Sequence, residues 1–224
     1  MSKFINPFTD YGFKLIFGRE VSKILLIEFL NDLLEGERVI TDLTFLNNEQ
    51  LPDYPEGRGI IYDVYCTTDT GEKIIVEMQN RMQSNFKERS IFYLSRAIVN
   101  QGRTGHDWKF EIKAVYGVFL MNFIMDKNIK LRTDVILADK ETGELFSEKF
   151  RQIFIALPLF KKSEEECETN FERWIYILNN METLKRLPFK ARKAVFERLE
   201  KLASKANMTQ EERAQYEEEW KVYN

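Results

Sequence analysis

Residues 59–79 read GIIYDVYCTTDTGEKIIVEMQ, a pattern of two apolar strands joined by a short polar turn. The turn DTG at residues 69–71 predicts a three-residue hairpin loop, in which the glycine takes the positive-φ position. Counting outward from this loop places Asp63 directly opposite Glu77. The hairpin therefore predicts a pair of antiparallel strands that aligns two acidic side chains.

Three polar side chains share one face of this predicted hairpin. Glu77 and Gln79 are two residues apart on the second strand, so both lie on the same face as Asp63. Two carboxylates on an otherwise apolar face repel each other unless a cation or a proton intervenes. Mg²⁺ prefers oxygen ligands and commonly uses one or two carboxylates together with water and substrate phosphate. The pattern alone leaves two interpretations open: a metal site for phosphodiester cleavage, or a solvated face of the sheet.

The composition excludes several classes of protein. With 224 residues, 44% hydrophobic and 13% aromatic, the chain has enough apolar mass for a substantial core. The net charge of −3 gives no overall basic signal, so nucleic-acid binding would need a local patch. The single histidine, His106, argues against histidine-based sites. Two cysteines and the lack of a signal peptide or membrane-length apolar run predict a cytoplasmic protein without a membrane partner.

A basic helix is predicted directly after the hairpin, over residues 80–101. Arg89, Tyr93 and Arg96 recur at three- and four-residue steps, which places them on one side of it. This stripe is a candidate contact for DNA phosphates, and the alternative is a solvated helix face. The apolar residues predicted to form the buried side of the helix are Phe86, Ile91, Phe92, Leu94, Ala97 and Ile98.

The rest of the chain predicts an α/β domain followed by helices. We expect two N-terminal helices, the first capped by Thr9, and a polar loop at residues 47–58 that borders the hairpin. Further strands are expected at residues 43–46, 109–123, 131–138 and 150–157, of which 109–123 is apolar enough for a central strand. Later segments predict helices at residues 171–181 and 189–206, and a third with a capping box formed by Thr209 and Glu212. The sequence thus predicts a core at residues 1–160 and a helical extension at residues 161–224.

The hairpin, with DVYC at residues 63–66 and GEKIIVEMQ at residues 71–79, resembles the PD-(D/E)xK nuclease signature in its E-x-Q form. More closely, the chain resembles the bacterial family of recombination-promoting nucleases and transposases in that superfamily. The resemblance extends to Asn47–Glu49 and to three other segments, which read FTDYGFKLIFG near the N-terminus, RSIFYLSRAIVNQ after the hairpin, and AVYGVFLMNF.

This resemblance implies a restriction-endonuclease-like α/β core with a mixed central sheet flanked by helices. It also implies Mg²⁺-dependent DNA endonuclease activity, with Mn²⁺ as a substitute ion and no small-molecule cofactor. Asp63 and Glu77 would be the catalytic acids and metal ligands, and Gln79 would stand at the usual lysine position. Glutamine carries no charge, so a nearby Arg or Lys is a candidate to take the place of the positive group. DNA is the implied partner, with a homodimer as a further expectation. The alternative is an inactive nucleic-acid-binding or protein-interaction module on the same fold.

Overall fold

The computed structural model describes residues 2–51, 59–190 and 193–223. The chain divides into two compact units: a helical unit formed by Met1–Asp42 with Phe160–Asn224, and a sheet unit formed by Leu43–Leu159. The helices of the helical unit are α1 (Asp10–Phe17), α2 (Lys23–Leu33), α4 (Asn170–Asn180), α5 (Val195–Ala203) and α6 (Gln210–Tyr223). The sheet unit contains α3 (Phe86–Val99) and the strands β1 (Leu43–Phe45), β2 (Glu49–Gln50), β3 (Ile60–Ile61), β4 (Val64–Thr68), β5 (Lys73–Gln79), β6 (Val115–Met121), β7 (Arg132–Ala138) and β8 (Leu145–Ala156).

The helical unit joins the two ends of the chain. The backbone N–H of Ile5 donates to the carbonyl of Ala203 at 3.0 Å, and Phe4 forms an isolated β-bridge with Ser204. Residues 1–42 therefore pack with the C-terminal helices, whereas the division predicted from sequence placed them with the strands. Distant contacts of this kind bury apolar surface that no local pattern reveals.

Capping side chains begin two helices of this unit as predicted. The Thr9 hydroxyl accepts a hydrogen bond from the N–H of Gly12 at 3.0 Å, which caps α1. Thr209 and Glu212 form the reciprocal capping box at the start of α6, because each side chain accepts from the other residue's N–H. Helix α5 is shorter than the predicted 189–206, and residues 191–192 lie outside the described part of the chain.

The sheet unit is built on six strands in the order β1-β4-β5-β6-β8-β7. Strands β5, β6 and β8 run parallel to one another, and the other neighbouring pairs are antiparallel. Strand β6 lies between β5 and β8, and each of its seven residues is buried. The predictions of an α/β fold with a mixed central sheet, and of a central strand within residues 109–123, are confirmed.

The β4–β5 hairpin has the register that the turn predicts. Val64 lies opposite Val76, the N–H of Thr68 donates to the carbonyl of Glu72 at 2.9 Å, and Gly71 has φ +93°. The first strand is not continuous, however. It breaks before Val64, and β3 pairs with β2 in a separate two-stranded sheet. Of the loop predicted to border the site, residues 52–58 lie outside the described part of the chain.

Helix α3 packs on the sheet through a face that matches the predicted one only in part. Ile91 and Phe92 are 51% and 48% exposed, so their predicted burial is wrong. The predicted burial of Phe86, Leu94 and Ala97 is confirmed, and Ser90 and Tyr93 are buried as well. The three-dimensional contact with β6, where Gly117 leaves room for Leu94, selects this face.

No helix among the described residues is long and apolar enough to cross a lipid bilayer. Both cysteines, Cys66 and Cys167, are buried thiols.

Candidate active site

The break in the strand before β4 brings Asp63 and Glu77 together. The backbone N–H of Asp63 donates to Oε1 of Glu77 at 3.0 Å, and the N–H of Met78 donates to Oδ2 of Asp63 at 2.8 Å. The Asn48 amide fixes the bend by donating to the carbonyl of Asp63 at 3.0 Å. Each carboxylate thus accepts a backbone hydrogen bond where the pairing of β4 with β5 ends, and these bonds fix both side chains.

Glu77 is a buried acid whose pKa is raised. Its side chain is 1% exposed, and burial is the main cause of the raised pKa, followed by the charge of Asp63. The hydrogen bond from Asp63, the Arg89 guanidinium and the Gln79 amide all act to lower the pKa of Glu77, but they do not offset the burial. Because a nearby positive charge favours an ionised carboxylate, a cation bound here would oppose this shift.

Gln79 lies on the same face of β5 as Glu77, as the alternation of the strand predicts. Its amide Nε2 donates to Oε2 of Glu77 at 3.3 Å, and its side chain is buried. Gln79 therefore orients the second carboxylate oxygen of Glu77 without supplying a charge.

Arg89 on α3 places a positive charge beside Glu77. Its Nη2 lies 3.9 Å from Oε2 of Glu77. Its guanidinium carbon lies 4.9 Å from the ring centroid of Tyr93, and Nε donates to the Tyr93 hydroxyl at 3.0 Å. Nη1 donates to Oε1 of Gln83 at 2.9 Å. These contacts hold Arg89 beside the acid pair.

The sequence placed Arg89 on the correct helix but gave it a different neighbour. Its spacing from Tyr93 suggested a stripe facing DNA, and the pairing with Glu77 was missed. The available signal was the neutral Gln79, combined with the arginines of the following helix. Tertiary packing sets which side of α3 faces the sheet, and this determines which arginine lies beside Glu77.

The other members of the predicted DNA-contact stripe occupy different environments. Tyr93 is 9% exposed, and it accepts a hydrogen bond at its carbonyl from the Tyr62 hydroxyl at 2.9 Å. Arg96 is half-buried and lies close enough to Tyr62 to lower the pKa of its hydroxyl, although burial raises that pKa overall. Contact of the stripe with DNA stays a prediction. Because Tyr93 is buried, Arg89 and Arg96 are the members of the stripe whose positive charge can contact a phosphate.

The donor set at Asp63 and Glu77 fits a hard divalent cation. Among residues 2–51, 59–190 and 193–223, no group of three or more His, Cys, Asp or Glu side chains could hold a metal ion. Two adjacent carboxylates, one of them buried, instead suit a divalent cation that keeps several waters and takes few protein ligands. The arrangement suits a metal that shares its coordination with water and a substrate phosphate.

Comparison with known proteins identifies the family of the chain. A family model described as a PD-(D/E)XK nuclease family transposase matches residues 7–224. Searches of curated proteins and of solved structures found no match. The match covers nearly the whole chain and includes both units and the hairpin with its acids. The chain therefore belongs to the PD-(D/E)XK nuclease family of transposases.

Proposed function

We propose that this protein is a Mg²⁺-dependent DNA endonuclease that acts in the bacterial cytoplasm and serves recombination by transposase-like mobile elements. The observation that carries the proposal is the direct link between Asp63 and the buried Glu77, with Arg89 beside them. A buried acid beside a second, half-buried carboxylate is unfavourable in a purely structural role, because burial and like charge both oppose its ionisation. A divalent cation bound between the two acids would offset both their repulsion and the cost of burial, which explains why they lie together.

Asp63 and Glu77 are the residues that would hold the ion, Mg²⁺ or its substitute Mn²⁺. When bound, the ion would act as a Lewis acid on the phosphate and lower the pKa of a water molecule. The protein contributes fixed ligands, because backbone N–H groups already orient both carboxylates. Pre-oriented ligands reduce the reorganisation needed as charge develops in the transition state.

Gln79 and Arg89 have supporting roles in this mechanism. Gln79 donates to Oε2 of Glu77 and fixes its rotamer, and its own carbonyl oxygen can accept a hydrogen bond from a water near the phosphate. Arg89 balances part of the negative charge of the acids, and 29% of its side chain remains exposed. A guanidinium at this position can also contact a phosphate oxygen of the scissile strand.

Nicking of supercoiled plasmid tests the proposal. The wild-type protein is expected to nick plasmid with Mg²⁺ or Mn²⁺ and to be inactive in EDTA. Asp63→Asn and Glu77→Gln keep the volume of each side chain but remove its charge. Each is expected to lower the nicking rate by at least about a hundredfold, because several kcal/mol of transition-state stabilisation are lost.

Glu148→Gln is the matched control, since Glu148 is an exposed acid on β8 of the same unit. Its nicking rate should equal that of the wild type. Nicking that survives in folded Asp63→Asn protein would refute the assignment of the site. A wild-type protein that binds DNA but cuts at no concentration of either metal would favour the inactive binding module.

A further inference from the structure

A large cavity lies at the end of the sheet where the three parallel strands begin. Its volume is about 960 Å³. Three lysines lie at this end of the sheet. Lys73 is the first residue of β5, and Lys113 lies two residues before β6. Lys149 comes directly before Phe150, the residue of β8 that pairs with the start of β6. All three lysines line the cavity, because parallel strands in register start at one edge of the sheet.

This cavity is separate from the acid pair. Lys73 and Glu77 stand four residues apart on β5, and a strand rises about 3.3 Å per residue, so they are roughly 13 Å apart along the sheet. Asp63, Glu77 and Arg89 are not among the residues that line the cavity. A ligand in the cavity would therefore leave the acid pair accessible.

The lining of the cavity is strongly positive. Among the described lining residues, Lys73, Arg103, Lys113 and Lys149 carry positive charge, and Glu111 carries the one negative charge. Burial lowers the pKa of Lys73, so an anion placed here would stabilise its charged form. This charge distribution favours an anionic ligand over an apolar or basic peptide.

Two aromatic rings stand at the same cavity. The ring centroids of Trp108 and Phe110 are 4.7 Å apart with an interplanar angle of 38°. Phe110 is 77% exposed and has φ +57°, a left-handed conformation that is costly for a bulky side chain. A bulky ring held exposed in a strained backbone indicates a site selected for contact with a ligand.

We infer that this cavity binds an unpaired nucleotide of single-stranded DNA. The base would stack on Trp108 and Phe110, and the lysines would contact the phosphates on either side. Aromatic rings beside a basic groove are the usual means of holding single strands, because every base has a face for stacking. The bases of a duplex are already stacked on one another and cannot reach these rings without being extruded. The choice of DNA as the nucleic acid rests on the proposed function, but the cavity needs no metal.

Fluorescence anisotropy with labelled oligothymidine of about 12 nucleotides tests the inference, since this length lies within the range of about 4–16 nucleotides that single-strand-binding folds cover. The measurement is made in EDTA, where cleavage cannot occur. The wild type is expected to bind the strand more tightly than the matching duplex. Phe110→Ala and Trp108→Ala should each weaken binding about tenfold, the effect of one lost stacking contact. Lys113→Ala should reduce the slope of log K against log salt by about 0.7, the value for one phosphate contact on a single strand.

Matched controls are Phe146→Ala, which removes another exposed aromatic ring, and Lys140→Ala, which removes another exposed lysine. Both should bind like the wild type. Because Phe110 is largely exposed, its variant is expected to fold, and circular dichroism verifies this before binding is measured.

Unchanged affinity in folded Phe110→Ala, no binding by the wild type, or equal binding of single strand and duplex would each overturn the inference. Failure of the proposed function has a different signature. A protein that binds oligothymidine through Phe110 but never nicks plasmid with metal would refute the nuclease and leave the nucleotide site standing.

Discussion

Replacing Arg89 with alanine tests how the acid pair is supported. The substitution removes a charged hydrogen bond to the Tyr93 hydroxyl, worth about 1.5–3 kcal/mol. It also removes a cation–π contact with the Tyr93 ring, worth about 0.5–2 kcal/mol, and a more exposed hydrogen bond to Gln83. Because contacts that share one side chain are not additive, we expect a net loss of about 2–4 kcal/mol.

Thermal unfolding in EDTA, followed by circular dichroism, measures this loss. For a chain of 224 residues each kcal/mol shifts Tm by about 2–4 °C, so the expected decrease is roughly 5–15 °C. Arg89→Lys keeps the charge but loses the planar fork, and its Tm should lie between those of the wild type and Arg89→Ala. Arg103→Ala, which removes an exposed arginine, should unfold within about 2 °C of the wild type.

Arg89→Ala should also change the pH dependence of metal binding. Arg89 lowers the pKa of Glu77, so its removal raises that pKa further. Metal binding needs the ionised carboxylate. The affinity of Arg89→Ala for Mn²⁺ should therefore fall at neutral pH and recover as the pH is raised, which a calorimetric titration at several pH values would show. A variant with the Tm of the wild type and the same pH profile for Mn²⁺ would refute the supporting role of Arg89.

Three further predictions follow from the site and the core. Glu77→Gln should raise the Tm of the metal-free protein at neutral pH, because it removes a buried ionisable group. Folding raises the pKa of Glu77, so the wild type should regain stability relative to the variant as the pH falls. A Tm difference that does not change with pH would contradict this prediction. Gln79→Lys should lower the pKa of Glu77 and move Mn²⁺ binding to lower pH while nicking is retained, and an unchanged binding midpoint would speak against it. Gly117→Ala should lower the free energy of unfolding in urea by about 1–3 kcal/mol, because the new Cβ would lie 2.5 Å from Cδ1 of Leu94 and 2.7 Å from Cε2 of Phe119. An unchanged urea midpoint would contradict this prediction, because it would mean that both side chains move aside at no cost.

The hairpin could be predicted from sequence because its determinants are local. A three-residue turn with glycine at the positive-φ position fixes the register, and the register fixes which side chains lie opposite. Asp63, Glu77 and Gln79 were brought together on this basis, and the structure places them in contact. The break in the strand at Asp63 was missed, because it depends on the Asn48 amide and on pairing with β2, which come from another part of the chain.

Features that depend on tertiary packing could not be predicted. The amphipathic pattern of α3 is ambiguous, since apolar residues such as Ile91 occur on more than one side, and the contact with β6 decides which side is buried. That choice also turns Arg89 toward Glu77. The union of residues 1–42 with the C-terminal helices rests on contacts between positions about two hundred residues apart, such as the Asn6 N–H donating to the Tyr216 hydroxyl at 2.8 Å.

Anomalous diffraction from crystals soaked in Mn²⁺ tests the central claim most directly. We predict a peak of anomalous density between the carboxylates of Asp63 and Glu77, and its loss in crystals of Glu77→Gln treated in the same way. Mn²⁺ bound elsewhere in a protein that nicks DNA, or a peak that persists in the Glu77→Gln crystals, would contradict the account.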